Sequence, residues 1–237
     1  MNPLANAEPS VDIVIPARNE EASLPRLLAE IPRAGVREVV VVDNGSSDRT
    51  AEVARSGGAT VVRERRHGYG AACLAGLAHL RLRPPDIVAF LDADGSDDPA
   101  ELPLLLAPLR ESRADLVIGS RTLGGAEPGS LGPVQRFGNR LAVALIRRLF
   151  GARFTDLGPF RAVRWETLER LGMRDRDYGW TVEMQARAAR AGCRCVEVPV
   201  RHHRRRAGRS KVAGTLRGSL GAGWKILFTI VRVRLGG

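Results

Sequence analysis

The sequence predicts an α/β fold: a predominantly parallel sheet with helices on both faces, in a single domain. Two observations predict it. Short runs that are almost wholly apolar alternate with stretches whose apolar residues recur at helical spacing, and strands covered on both sides read as continuous apolar runs. Four of these runs also end in polar clusters: Arg18-Asn19-Glu20, Asp43-Asn44, Asp92-Ala93-Asp94 and Ser120-Arg121. Parallel strands put their carboxyl ends on one edge, where such sheets bind ligands. One cluster would be a loop; four along one edge predict a site.

VDIVIP (11–16) is an apolar run stopped by proline, and it opens the sheet. EEASLPRLLAEI (20–31) sets Leu24, Leu27, Leu28 and Ile31 at helical spacing, with Pro25 in the first turn, where proline is tolerated. REVVVVD (37–43) is a strand, and Ser47 or Asp48 can cap the helix TAEVARSGG that follows. ATVVRE (59–64) is a third strand, leading through the turn HGYG into the helix AACLAGLAHL. DIVAFLD (86–92) and ADLVIGSR (114–121) are the fourth and fifth strands. Between them lies the helix PAELPLLLAPLRE (99–111), with Asp97 and Asp98 as its caps.

Past residue 121 the alternation fades. LGGAEPGSLGP (123–133) reads as a flexible Gly/Pro-rich segment and QRFGNRLAVALIRRLFG as a helix. TDLGPFRAVRWETLERL reads as loop, short strand and helix, YGWTVEMQARAARAG (178–192) as a further helix, and CRCVEVPVRHH as the last strand. There is no internal repeat.

A hydrophobic content of 44% with 27% charged residues belongs to a soluble globular chain. Cys73, Cys193 and Cys195 are odd in number and lack zinc spacing, which predicts reduced thiols, with Cys193 and Cys195 on one face of a strand. MNPLANAEPSVD has neither a charged nor an apolar leader region, so the chain reads as cytoplasmic. The net charge of +11 is unevenly placed. Residues 1–197 hold 27 Lys+Arg against 26 Asp+Glu, whereas residues 198–237 hold ten Lys+Arg and no acid. That asymmetry predicts an anionic partner at the C-terminal end.

DADGSDDP sets Asp92 and Asp94 one residue apart at a strand tip. Both carboxylates can approach one hard cation. With no histidine beside them they suit Mg²⁺ or Mn²⁺ shared with phosphate oxygens rather than zinc. The loop lacks the glycine spacing and terminal Glu of an EF-hand. HGYGAAC departs from the dinucleotide fingerprint, because Cys73 stands at its third glycine and the turn follows the third strand. Its glycines suit a tight turn and close approach to a ligand. No Walker A motif is present.

PARNEE, VVDNGSSDRT, FLDADGSDDP, IGSR, TDLGPFRA, YGWTVEM and RRRAGRSK occur in that order. The series resembles the family 2 glycosyltransferases with the Rossmann-like GT-A fold, and within them the polyprenyl-phosphate (dolichol-phosphate) mannosyl- or glucosyltransferase branch, over residues 11 to 215. The resemblance implies a nucleotide-binding half at 11–121 and an acceptor half at 122–215, between a tail (1–10) and a basic, apolar segment (216–237). It implies that Pro16, Ala17, Arg18 and Glu20 flank the nucleotide sugar. Asp43 would accept from the base, and Asp92, Ala93 and Asp94 would hold the diphosphate through the metal. Relatives often carry glutamine at the position of Ser96. Arg121 and Arg136 would hold an acceptor phosphate, Glu183 would stand where the wider family has its catalytic base, and Arg206, Ser210 and Lys211 would close over the donor phosphates. Asp156 is open between orienting Arg161, orienting the acceptor, and capping a turn.

The chemistry asks for these types. A sugar leaving a nucleoside diphosphate develops charge that a cation and Arg or Lys stabilise. A hydroxyl acceptor needs a base, while a phosphate acceptor is already an anion and needs positioning by arginine. The expected activity is metal-dependent, inverting transfer of a hexose from a UDP- or GDP-sugar to a polyprenyl phosphate, with a soluble or saccharide hydroxyl acceptor as the alternative. A nucleotidyltransferase would show a glycine-rich first loop, which PARNEE is not. A nucleic-acid module would show a recognised motif or an aromatic platform, and aromatics are 5%. GAGWKILFTIVRVRLGG (221–237) is too short in apolar run to span a bilayer. It either lies on an anionic membrane at the cytoplasmic face or packs as an element on the core.

Overall fold

The computed structural model describes residues 8–205 and 216–236, the side chains of 216–222 excepted. The chain builds β1 (Val11–Ala17), α1 (Leu24–Glu30), β2 (Val36–Asp43), α2 (Thr50–Ser56), β3 (Thr60–Arg63), α3 (Tyr69–Leu80) and β4 (Ile87–Phe90). A 3₁₀ turn (Pro99–Glu101), α4 (Leu102–Arg110), β5 (Leu116–Ser120), α5 (Arg121–Gly124), α6 (Pro133–Phe150) and β6 (Arg161–Arg164) follow. The chain then runs through α7 (Trp165–Leu171), α8 (Trp180–Arg190), β7 (Cys195–Pro199) and α9 (Leu216–Arg234).

The seven strands form one sheet in the order β3-β2-β1-β4-β6-β5-β7. Side chains alternate between two apolar layers. Ile13, Ile15, Val39 and Val41 pack under α1 and α4, while Val14, Val40, Val42 and Phe90 pack under α3 and α8. Pro25 lies in the first turn of α1 as predicted. Asp48 satisfies the start of α2 by accepting from Thr50 N at 3.0 Å.

The sheet is mostly parallel, as expected. Within it β6 runs antiparallel to both β4 and β5: the excursion through α5 and α6 leaves and re-enters at the same edge, so no crossover to the opposite edge precedes it. Several other expectations are corrected. Asp98 caps the 3₁₀ turn through Ala100 N at 3.0 Å, but Asp97 does not. It is buried, with Oδ1 3.2 Å from His202 Nδ1. The segment 123–133 is pinned rather than free: Glu127 N donates to His202 O (2.9 Å), and its carboxylate accepts from Arg204 N (2.9 Å). Cys193 lies in the turn after α8 and only Cys195 is in a strand, its thiol pushed up to about 12, chiefly by burial. The C-terminal segment forms a helix that packs on α8 and α6, with Ile230 and Val233 fully buried.

Candidate active site

The carboxyl ends of β1, β2 and β4 and the start of α3 enclose a cleft of about 210 Å³. At the end of β1 and just beyond it, Pro16, Ala17, Arg18 and Glu20 line one wall. Asn19 adopts a left-handed backbone (φ 52°) between Arg18 and Glu20. Asn44, after β2, ties the wall together. Its N–H donates to Ala17 O (2.8 Å), its Nδ2 to Arg66 O (2.7 Å), and its Oδ1 accepts from Gly68 N (2.9 Å). Asp43 stands just behind the lining, accepting from Ser46 N at 2.9 Å.

Asp92, Ala93 and Asp94 line the facing wall. Asp92 Oδ1 accepts from the Tyr69 hydroxyl (2.9 Å) and Asp94 Oδ1 from Ser96 N (2.9 Å). Burial, then the neighbouring charges of Asp94 and Asp97, push the Asp92 carboxyl up to about 8. The Asp97 Oδ2 atom is buried without a hydrogen-bond partner. This crowd of oxygen donors, free of sulfur, is one that a hard divalent cation relieves. Among the described residues no group of three or more His, Cys, Asp or Glu is arranged to hold a metal. Asp92 and Asp94 therefore fit Mg²⁺ or Mn²⁺ as a partial ligand set, with remaining positions left to water and phosphate oxygens.

Arg205 bridges the two walls. Its Nη1 lies 2.8 Å from Glu20 Oε1 and its Nη2 3.0 Å from Asp94 Oδ2. The strap that carries it is fastened on both sides: His203 N donates to Ser96 O (2.7 Å) and Arg201 N to Glu101 Oε2 (2.8 Å). Sequence reasoning missed Arg205 and Tyr69, and placed Asn44 at the site edge without assigning it a role. Arg205 immediately precedes Arg206, which with Ser210 and Lys211 lies outside the described residues. The HGYG turn offered the signal for Tyr69, but its glycines serve another purpose. A Cβ on Gly68 or Gly70 would lie 2.1 Å from the carbonyl oxygen of Arg176 or Asp175, so both admit a neighbouring loop, and Gly68 also lines the cleft.

The other candidates divide. Asp156 holds Arg121, not Arg161, through Nε (2.7 Å), Nη2 (2.7 Å) and the backbone N–H (2.9 Å). Burial would raise the Asp156 pKa, but these bonds outweigh it and lower it. Arg121, whose charge also feels Asp97 and Asp92, is thereby fixed and stays charged. Arg161 is fully buried and donates to backbone carbonyls, Thr181 O among them at 2.9 Å. Arg136 is exposed in the first turn of α6. Glu183 is fully buried on α8 and does not line the cleft. Its carboxylate accepts from Arg174 N (3.0 Å), Asp175 N (2.7 Å), Arg187 Nε (3.0 Å) and Arg232 Nη2 (3.2 Å).

A mostly parallel sheet with a cleft and paired acids at its carboxyl edge is the architecture of the GT-A glycosyltransferases. Residues 12–172 match the model of the family described as Glycosyl transferase family 2, and the chain belongs to that family. An uncharacterised glycosyltransferase of Mycobacterium tuberculosis is 45% identical over 92% of this chain and 98% of its own length. An undecaprenyl-phosphate mannosyltransferase of Micrococcus luteus is 35% identical over 86% of this chain and 88% of its own. Among solved structures, glucosyl-3-phosphoglycerate synthase from M. tuberculosis, in complex with Mn²⁺, uridine diphosphate and phosphoglyceric acid, superposes with a TM-score of 0.74 at 25% identity. That alignment covers 96% of this chain and 79% of the synthase.

Proposed function

We propose that this glycosyltransferase moves a hexose from a nucleoside-diphosphate sugar to a polyprenyl phosphate, with inversion at the anomeric carbon. The observation that carries the acceptor is the Arg121–Asp156 pair: a guanidinium held by two side-chain hydrogen bonds, within electrostatic reach of Asp92 and Asp97. A fixed guanidinium close enough to feel those acids suits an anionic nucleophile. The undecaprenyl-phosphate mannosyltransferase relative, which aligns over most of both chains, supports the same choice.

In this reading the β1 loop and Asn44 shape the nucleotide pocket, with Asp43 behind them accepting from the base. Asp92 and Asp94 hold the divalent cation, which when bound neutralises charge on the leaving diphosphate. Arg205 supplies a further positive charge at the mouth. Arg121, aligned by Asp156, sets the acceptor phosphate on the side opposite the leaving group, which is the arrangement direct displacement requires. Arg136 and the Arg206–Lys211 segment belong to the same reading as further phosphate contacts. Because the acceptor is already an anion, no base is needed.

A hydroxyl acceptor with Glu183 as base is the second reading, and the synthase complex with phosphoglyceric acid motivates it. The saturated, fully buried Glu183 carboxylate speaks against it. The test offers labelled UDP-glucose and GDP-mannose, with Mn²⁺, to a short-chain polyprenyl phosphate and to 3-phosphoglycerate, and identifies the product and its anomer. Label in the lipid phosphate with inverted configuration is expected. Label in the soluble acceptor alone, or retention, contradicts the proposal.

A further inference from the structure

α9 meets the domain with two of its faces. Ile226, Ile230 and Val233 pack into the apolar layer of α8 and α6. Lys225, Thr229 and Arg232, also at helical spacing, reach the buried carboxylate of Asp175 at 3.4, 3.4 and 3.8 Å. The third face carries Trp224, Phe228, Val231 and Leu235, which are 73%, 51%, 44% and 82% exposed. This row, spaced i, i+4, i+7, i+11, lies opposite the buried one. A helix that only braced a domain would be polar outward, so a large apolar row facing water calls for an occupant.

The neighbouring helix repeats the pattern. α6 exposes Val134, Phe137 (68%) and Leu141 beside Arg136, Arg140, Arg147 and Arg148. It contains no acid. None of these four arginines meets a carboxylate among the described residues, whereas Arg201, Arg205, Lys225 and Arg232 of the C-terminal region all do. The α6 arginines, together with the exposed Arg234 in the C-terminal region, therefore face outward without a carboxylate partner among the described residues. No described helix is long and apolar enough to cross a membrane.

We infer that α9 and α6 form a docking surface for an anionic lipid bilayer, with Trp224 and Phe228 entering the headgroup layer and the α6 arginines meeting lipid phosphates. The combination of large apolar side chains, arginine and no acid is the signature of a helix lying in the interface plane. The clasp of Lys225, Thr229 and Arg232 on Asp175 keeps α9 on the domain while its apolar face is turned outward. The inference deepens the lipid-acceptor reading and takes its purpose from it, since a membrane-embedded acceptor phosphate is reached by an enzyme resting on that membrane.

The experiment is co-sedimentation of the full chain with vesicles of phosphatidylglycerol and phosphatidylcholine, and with phosphatidylcholine alone, at low and high salt. The vesicles contain no polyprenyl phosphate, so the outcome is independent of whether the acceptor assignment is right. Wild type is expected to bind the anionic vesicles about tenfold more tightly than the neutral ones, and high salt should narrow that gap. The W224A/F228A variant, at two exposed positions outside the hydrophobic core clusters, should bind the anionic vesicles about tenfold more weakly with little change in thermal unfolding. Wild type left in the supernatant, equal pelleting of wild type and variant, or a concentration-dependent dimer that the double variant abolishes would each overturn the inference. The last would assign the face to a second copy of the chain.

Discussion

Two groups of acids in this molecule differ in what surrounds them. Asp92, Asp94 and Asp97 crowd the cleft with one bridging guanidinium, one buried oxygen left without a partner, and a carboxyl raised to about 8. Asp175 and Glu183 lie fully buried beneath α9, with backbone N–H groups on each carboxylate and Lys225, Arg187 and Arg232 as counter-charges. The first cluster is incompletely matched and open to a ligand. The second is matched by the protein itself. Acids that a fold satisfies hold the fold; acids that it leaves crowded await a cation.

The sharpest way to break this comparison is to exchange the expected losses. Asp94→Asn should cut hexosyl transfer by about 10²- to 10³-fold while leaving thermal unfolding nearly unchanged, because a group that stabilises the leaving diphosphate is lost. Glu183→Gln should do the reverse. Urea unfolding should show a loss of about 3 kcal/mol, since Arg187 and Arg232 lose a buried counter-charge, with transfer in the folded fraction reduced much less. A Glu183→Gln protein that is stable but inactive would restore Glu183 as a catalytic base and sink the comparison.

Smaller effects sharpen it. Asp156→Asn should raise KM for the acceptor by about tenfold with little change for the nucleotide sugar, because Arg121 keeps its charge but loses its alignment. Steady-state kinetics with each substrate varied in turn separates the two. Arg205→Met should tighten Mn²⁺ binding in the absence of nucleotide by about threefold, since Asp94 no longer shares its oxygen with a guanidinium. Titration of Mn²⁺ by calorimetry reads this directly.

A further effect is in pH. With divalent ions removed, the folded protein keeps a proton on Asp92 up to about pH 8, whereas an ordinary aspartate loses it near 3.8. Between those values the folded state holds the extra proton, so this contribution to stability is greatest below about pH 4 and declines as pH rises towards 8. Unfolding midpoints at pH 6 and pH 8.5, with and without Mn²⁺, should show the decline in the stripped protein and a flatter profile with the cation bound.

Much of the cleft was legible because apolar strands announce their own ends. Acids directly after VVVV and IVAFL have no role inside a sheet, and the rule that parallel sheets bind at their carboxyl edge brings Glu20, Asp92 and Asp94 together. The direction of β6 was not legible, because RAVR carries no signal of which edge the chain re-enters. Nor was the environment of Glu183, whose partner Arg232 lies 49 residues away on another helix. Helical spacing shows that Glu183 points inward but not whether substrate or a cation meets it there. The acid-free C-terminal stretch predicts an anionic partner, and counting charge does not reveal that among its described cations Arg201, Arg205, Lys225 and Arg232 are matched to acids of the body. Sequence counts charge; only the fold shows where it is neutralised.

The most direct test of the central claim is calorimetric binding of UDP- and GDP-sugars to wild type and Asp94→Asn, with and without Mn²⁺. The account predicts that one nucleotide sugar binds wild type, that binding requires the cation, and that Asp94→Asn loses the cation-dependent part. Equal binding to both proteins, or binding indifferent to Mn²⁺, would contradict it and leave the acids of the cleft without the cation assigned to them.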